Sequence, residues 1–258
     1  MKNALLIDLG GTNVRHAFFI NNALSKISKE KISDKEFIPF ITKLLNGAES
    51  KIEYLVIAAA GPNNQGFINL TNRNLLINSS ELEATLNLKK CLLLNDWEAV
   101  AFSLSEMEKK SFLSIKDNVP SNKNTLLIGP GTGLGVTLII DDQIIPTEFG
   151  NVLSATKSMM ESFGIERSEK FLSLENILSG PGIEMLYEEK FGKKLSSEKI
   201  ITLALERNED ALFIVNNFLK TLITIIDDLV LSFTCKRVIL GGAILNSLKS
   251  ILTSEKIL

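Results

Sequence analysis

Asp8 stands at the end of an apolar run and is followed by Gly10, Gly11, Thr12 and Asn13 in the segment IDLGGTN. Glycines let backbone N–H groups approach a phosphate closely, and a threonine hydroxyl adds a donor, so such a turn can form an anion-binding concavity. A carboxylate gains nothing from touching phosphate directly. It can instead hold a water of hydrated Mg2+, an ion that keeps several waters and binds through one or two carboxylates plus substrate phosphates. The competing reading is a hairpin with no ligand. A second segment, GPGTGLG from Gly129 to Gly135, repeats the device with Gly131, Thr132 and Gly133 at its centre. It lacks the Lys-Ser/Thr ending of a P-loop, and no helix follows it as a dinucleotide fingerprint requires. Two glycine-threonine turns facing each other across a cleft between domains would grip a polyphosphate from both sides.

LLLNDWEAVA, Leu92 to Ala101, delivers Asn95 and Asp96 where a buried strand gives way to a helix. Ligands of α/β sheets bind at the carboxyl ends of the strands. Asp96 can take the proton of a hydroxyl nucleophile, as a positioned carboxylate does in phosphoryl transfer, while Asn95 fixes another hydroxyl. The alternative is an Asn or Asp cap on the helix that follows. In VILGGAIL, Val238 to Leu245, the bare turn at Gly241 and Gly242 can admit the face of a nucleoside; a plain β-to-α turn explains it equally well. LSGPG, Leu178 to Gly182, reads as a helix start with Ser179 near the cap and Pro181 in the first turn.

The elements that must carry these residues follow from the pattern of apolar positions. Ala4 to Ile20 and Thr125 to Ile140 each read as a β-hairpin, an apolar strand on either side of a glycine turn, with the glycines supplying positive φ. The same device used twice suggests an internal duplication. The first half continues with a helix near Lys35 to Asn46, a strand Tyr54 to Ala60, a helix near Ser80 to Leu86, a strand Cys91 to Leu94 and a helix Trp97 to Lys109. The second continues with a strand near Gln143 to Thr147, a helical region from Ser154, a long helix Ala211 to Thr234, a strand Arg237 to Leu240 and a helix Ile244 to Leu252. Alternating β and α predicts two α/β layers with largely parallel sheets. The polar stretch Lys116 to Lys123 is the best linker, which predicts a small domain over 1–115 and a larger one over 116–258. The second half stops one βα unit short of the first, so its last strand must be managed as an edge.

The 258 residues are 45% hydrophobic and 22% charged, with 28 Lys plus Arg against 30 Asp plus Glu. That composition is globular and offers no basic footprint for a nucleic acid. Cys91 and Cys235 lie beside apolar residues and read as reduced core thiols, and the one histidine, His16, reads as structural. The short apolar run Ala4 to Ile7 is no signal core, and no stretch approaches the roughly 20 apolar residues of a spanning helix. A cytoplasmic protein without a membrane partner is expected.

In order, IDLGGTN, LLLNDWEAVA, GPGTGLG, LSGPG and VILGGAIL resemble bacterial glucokinases of the sugar kinase, heat-shock protein and actin superfamily, from about Ile7 to Leu245. The resemblance implies a duplicated actin-like (ribonuclease H-like) α/β fold of two domains with an interdomain cleft. It makes Asp8 and Gly10 to Asn13 the first phosphate loop, Gly131 to Gly135 the second, and Gly241 and Gly242 the adenosine motif. It puts Asp96 at the catalytic base, Asn95 at a sugar ligand, and Glu148 and Glu175 at two more. The implied reaction moves the γ-phosphoryl group of ATP to the C6 hydroxyl of glucose, with Mg2+ on the phosphates and domain closure excluding water.

Two departures stand out. Where the family has Glu-Gly-Gly-His this chain has Glu148, Phe149, Gly150 and Asn151, so an amide takes the sugar-contacting place of the imidazole. The family also continues with a strand and helix that match the missing unit. The zinc-binding Cys/His motif of the related repressor and sugar-kinase group is absent, which favours the plain glucokinase branch. Alternatives are a sugar-binding or regulatory homologue without turnover, and a kinase for another sugar or pantothenate; Glu148 and Glu175 favour a hexose. A homodimer is open to the chain.

Overall fold

The computed structural model describes residues 3–10, 13–70, 75–115, 122–153, 156–166 and 169–253. Gly11, Thr12 and residues 116–121, where the polar linker stretch begins, lie outside them. The chain forms two compact units, Met1–Ser105 and Glu106–Leu258.

The first unit is built on β1 (Ala4–Leu9), a strand of alternately buried and half-buried residues over most of its length. β2 (Val14–Ile20) returns antiparallel, pairing Leu9 with Val14 and Asp8 with Arg15, and the short strands β3 (Ala23–Leu24) and β4 (Ser28–Glu30) extend that side. Apolar residues at helical spacing make α1 (Phe37–Asn46), which buries Phe37, Phe40 and Ile41. β5 (Tyr54–Ala59) then runs parallel to β1. β6 (Asn63–Asn64), β7 (Phe67–Asn69) and β8 (Leu76–Asn78) form a separate antiparallel sheet, and the Asn78 side chain caps α2 (Ser79–Thr85). β9 (Lys90–Asn95) lies parallel to β5 and passes directly into α3 (Asp96–Ser103). The main sheet has the order β3-β2-β1-β5-β9, with β4 also on β2. Leu9 pairs with Ala59 and Ala59 with Asn95, so β1, β5 and β9 end together and leave Asp8 and Asp96 at one edge.

In the second unit every residue of β10 (Thr125–Pro130) is buried, as a strand covered on both faces requires. β11 (Leu134–Ile140) returns antiparallel and reaches β12 (Gln143–Pro146) through Asp141 and Asp142, both at positive φ. The helices are α4 (Thr156–Ser162), α5 (Gly180–Phe191), α6 (Ser197–Leu205) and α7 (Glu209–Ser232), the last three capped by the side chains of Ser179, Ser196 and Asn208. β13 (Arg237–Leu240) lies parallel to β10, and α8 (Ala243–Ser247) and α9 (Lys249–Leu252) follow it. Leu126, Ile128 and Leu138 of this sheet pack with Phe163, Phe171, Ile214 and Phe218. No helix among the described residues is long and apolar enough to cross a membrane.

The duplication is visible strand by strand: β2-β1-β5 in one unit repeats as β11-β10-β13 in the other. The first sheet adds β9 beyond β5, whereas among the described residues nothing pairs beyond β13. Several expectations need correction. The helix expected over Trp97 to Lys109 ends at Ser103, where the hydroxyls of Ser103 and Ser105 bond the carbonyls of Val100 and Phe102 and compete with the helical ladder. The single helix expected over Ile244 to Leu252 breaks at Leu248, whose φ of −91° and ψ of 8° leave the helical range. The turn glycines Gly10, Gly131 and Gly133 have no left-handed φ. Of the three only Gly133 is crowded, by Glu175; a Cβ at Gly131 would meet nothing within 4 Å. His16 is structural, buried edge-on to Phe40 with Nε2 3.0 Å from Glu30 Oε1. Cys91 and Cys235 are buried free thiols, and burial pushes the Cys91 thiol up to about 12.

Candidate functional site

In the first unit, Asn95 is the last residue of β9 and the cap of α3. Its Oδ1 accepts from the N–H groups of Trp97 (2.9 Å) and Glu98 (3.3 Å), and its Nδ2 donates to Gly61 O at 3.2 Å. Asp96 is the first residue of α3. One of its oxygens, Oδ1, accepts from the Trp97 N–H at 2.9 Å, and the carboxylate also accepts from its own backbone N–H. Burial, and next to it the negative charge of Asp8, raise the Asp96 carboxyl above its ordinary value, against the Trp97 bond that lowers it. Of the two readings of this dipeptide, the cap falls to Asn95.

Asp8 and Arg15 face each other across the β1–β2 pair, with Nη1 2.6 Å from Oδ2 and both side chains about half exposed. A pair this open to water orients Asp8 more than it stabilises the fold. The adjacent turn is closed by Gly10 N–H donating to Asn13 O at 3.0 Å. Its middle residues, Gly11 and Thr12, lie outside the described set.

In the second unit the β10–β11 turn is held by two bonds, Gly131 N–H to Gly133 O and Gly180 N–H to Gly131 O, both 2.8 Å; the second seats the start of α5 on the turn. Thr132 is exposed at its tip. Glu175 lies against Gly133, where a Cβ would come within 2.7 Å of Glu175 Oε2. Glu148 is anchored by its neighbour Thr147, whose hydroxyl bonds Val136 O at 2.7 Å, and Asn151 Nδ2 donates to Glu148 Oε2 at 3.1 Å. Gly150 presses on the carbonyl of Leu134 and leaves no room for a side chain, while Phe149 packs on the core. Leu174 N–H to Val152 O, 3.1 Å, ties the segment holding Glu175 to the one holding Glu148. Glu148, Asn151 and Glu175 thus converge on the end of the hairpin that carries Gly131 to Gly133.

Gly241 N–H donates to Ile128 O at 3.0 Å, and Gly242 has φ 93° with its missing side chain directed at Pro130 O, 2.5 Å from where a Cβ would stand. The Gly-Gly turn therefore has a packing reason of its own, beside the same hairpin. Arg15, Gly61 and Glu98 escaped sequence reasoning. For Glu98 a signal existed, since Asn95 followed three residues later by a glutamate is a capping-box spacing. Arg15 becomes a partner of Asp8 only once the strand register is known.

Two α/β units, each with a glycine-turn hairpin flanked by a parallel strand, define the actin-like ATPase fold. Solved structures of that fold superpose on the chain. Glucokinase from an Antarctic psychrotroph does so with TM-score 0.76 and 23% identity, over 100% of this chain and 88% of its own. Balamuthia mandrillaris glucokinase, in complex with glucose, has TM-score 0.76 and 20% identity over 98% and 84%. A ROK family glucokinase from Streptomyces griseus, in complex with glucose and AMPPNP, has TM-score 0.63 and 16% identity over 96% and 88%. The family model for Glucokinase matches residues 5–258, and the chain belongs to the glucokinase family. Relatives include the glucokinases of Pseudomonas paraeruginosa, 27% identical over 72% of this chain, and Helicobacter pylori strain J99, 28% identical over 78%. The chain spans 58% and 64% of the length of these two curated relatives.

Proposed function

We infer that the protein phosphorylates a hexose with ATP, most directly glucose at its C6 hydroxyl, with Asp96 as the general base. The observation that carries this reading is the state of Asp96. It stands where three parallel strands end, in a setting that raises its affinity for a proton. A base must take a proton from an alcohol in the transition state and lose it afterwards, and an elevated carboxyl suits that task. The family, and the glucose and AMPPNP named for the Streptomyces griseus structure, support the choice of sugar and nucleotide.

Each group has a part to play. The backbone of Gly10 to Asn13 and of Gly131 to Gly133 offers N–H donors to the phosphates, and Gly241 and Gly242 lie beside the nucleoside. Asn95, Glu148, Asn151 and Glu175 are the sugar ligands of this reading; the carboxylates accept, and the Asn151 amide can both donate and accept. The donor set fits Mg2+ through water, because Asp8 offers one half-exposed carboxylate whose Oδ2 is held by Arg15. When bound with the nucleotide, the ion neutralises charge on the phosphate oxygens. Asp96 then removes the proton of the attacking hydroxyl, and no covalent enzyme intermediate is needed.

The test is a coupled ADP-release assay on a panel of hexoses, run beside Asp96→Asn. The reading expects release that depends on one or a few sugars and collapses in the variant. Equal release from both proteins would exclude Asp96 as the base, and release without any sugar would exclude a hexose acceptor.

A further inference from the structure

Glu98 has no part in the chemistry above, yet it closes a four-residue loop around Asp96. Asn95 N–H donates to Glu98 Oε2 at 3.0 Å, and Glu98 N–H returns a bond to Asn95 Oδ1 at 3.3 Å. Asp96 lies inside this reciprocal box, so its backbone cannot turn without breaking one of the two bonds. Between them stands the Trp97 N–H, 2.9 Å from Asn95 Oδ1 and 2.9 Å from Asp96 Oδ1. One donor is shared by the cap and the base. The far side is equally fixed. Asn95 is buried, its Nδ2 is bonded to Gly61 O, and Gly61 sits at φ 136° with no space for a Cβ, which would come within 2.8 Å of Asn69 O.

We propose that Glu98 is a positioning residue for Asp96: by holding the Asn95 N–H it keeps Asn95 Oδ1 on the Trp97 N–H, so that this donor does not draw the Asp96 carboxylate wholly onto its own helix. A carboxylate competes strongly for a backbone N–H at a helix start, because a charge-assisted bond is about twice as strong as a neutral one. Without the competing amide oxygen, Asp96 would turn toward Trp97 and away from an incoming hydroxyl. The consequence for turnover rests on the hexose-kinase reading; the geometry does not. What matters is an acceptor at the right reach, so the charge of Glu98 can be spared and its length cannot.

The test compares the wild type with Glu98→Gln, which keeps an acceptor of the same reach, and Glu98→Asp, which keeps the charge on a side chain one methylene shorter. Both are read well below their unfolding temperatures. We expect Glu98→Asp to lower kcat about tenfold or more with the ATP KM little changed, and Glu98→Gln to retain most of the turnover. In the NMR spectrum, the Trp97 amide proton should move downfield in Glu98→Asp, as its bond to the carboxylate strengthens, and stay in place in Glu98→Gln. The proposal is overturned if Glu98→Gln loses turnover while Glu98→Asp keeps it, which would make charge rather than reach the cause. An upfield Trp97 amide in Glu98→Asp would also overturn it, as the mark of a merely frayed cap. If the wild type shows no hexose-dependent turnover, the kinase reading fails by itself, and the amide resonance still decides whether Glu98 positions Asp96.

Discussion

On folding, the Asp96 carboxyl loses water and comes to face the charge of Asp8; both raise its pKa, and the Trp97 N–H only partly opposes them. A folded-state pKa above the unfolded one means that the folded protein binds this proton more tightly. Ionising Asp96 therefore opposes folding, and that cost is fully present once the pH exceeds the folded value. Asp96→Asn keeps an oxygen for the Trp97 N–H and removes the charge, so its Tm at neutral pH should equal or exceed that of the wild type in a thermal melt. A lower Tm would mean that the ionised carboxylate stabilises the fold. Asp8→Asn removes a charge that holds the Asp96 pKa up, so the acid limb of the kcat profile should move to lower pH while the KM for the Mg2+ nucleotide rises. A limb moving to higher pH would contradict the assigned coupling. At this scale a cap at the Asn95-Asp96 pair was legible, because Asn and Asp are preferred at helix starts. Which of the two caps was not legible, since it depends on which oxygen reaches which N–H.

The two glycine turns look alike in sequence and differ in what they resist. Gly242 combines a positive φ with the Pro130 carbonyl in the path of a Cβ. Gly242→Ala should cost about 1–3 kcal/mol from backbone strain alone, seen as a lowered urea midpoint. Gly133 has ordinary backbone, and its neighbour is the far end of the Glu175 side chain. Gly133→Ala should leave the urea midpoint near that of the wild type and raise the hexose KM by displacing Glu175; an unchanged KM would remove Glu175 from the sugar site. The hairpins, α1, α7, β5, β9 and β13 were legible because their apolar residues keep a clear period. The sheet of β6, β7 and β8 was not, because strands of two or three residues cannot show one. The ends of α3 and the break at Leu248 depend on side-chain hydroxyls and on packing that periodicity does not report.

Each unit has its own core: Leu5, Ile57 and Phe37 belong to one, Leu126, Phe163 and Phe218 to the other, and among the described residues none is shared. Units with separate cores lose the single cooperative transition of a small domain. Calorimetry should give an unfolding enthalpy larger than the van't Hoff value, and a ratio of one would show that the units unfold together. The duplication behind this arrangement was legible at the level of the whole chain, since it repeats a hairpin and a parallel strand. The pairing that brings the ends of β1 and β9 to one edge of the sheet, and the packing of Glu175 against Gly133, were beyond reach because they join residues far apart in sequence. What ties these observations together is the claim that Asp96 activates a sugar hydroxyl toward ATP. Glucose 6-phosphate formed from glucose and ATP, measured directly for the wild type and for Asp96→Asn at equal concentrations, tests it. The account predicts formation by the wild type and a loss of about 10²- to 10⁴-fold in the folded variant; undiminished formation by Asp96→Asn would contradict it.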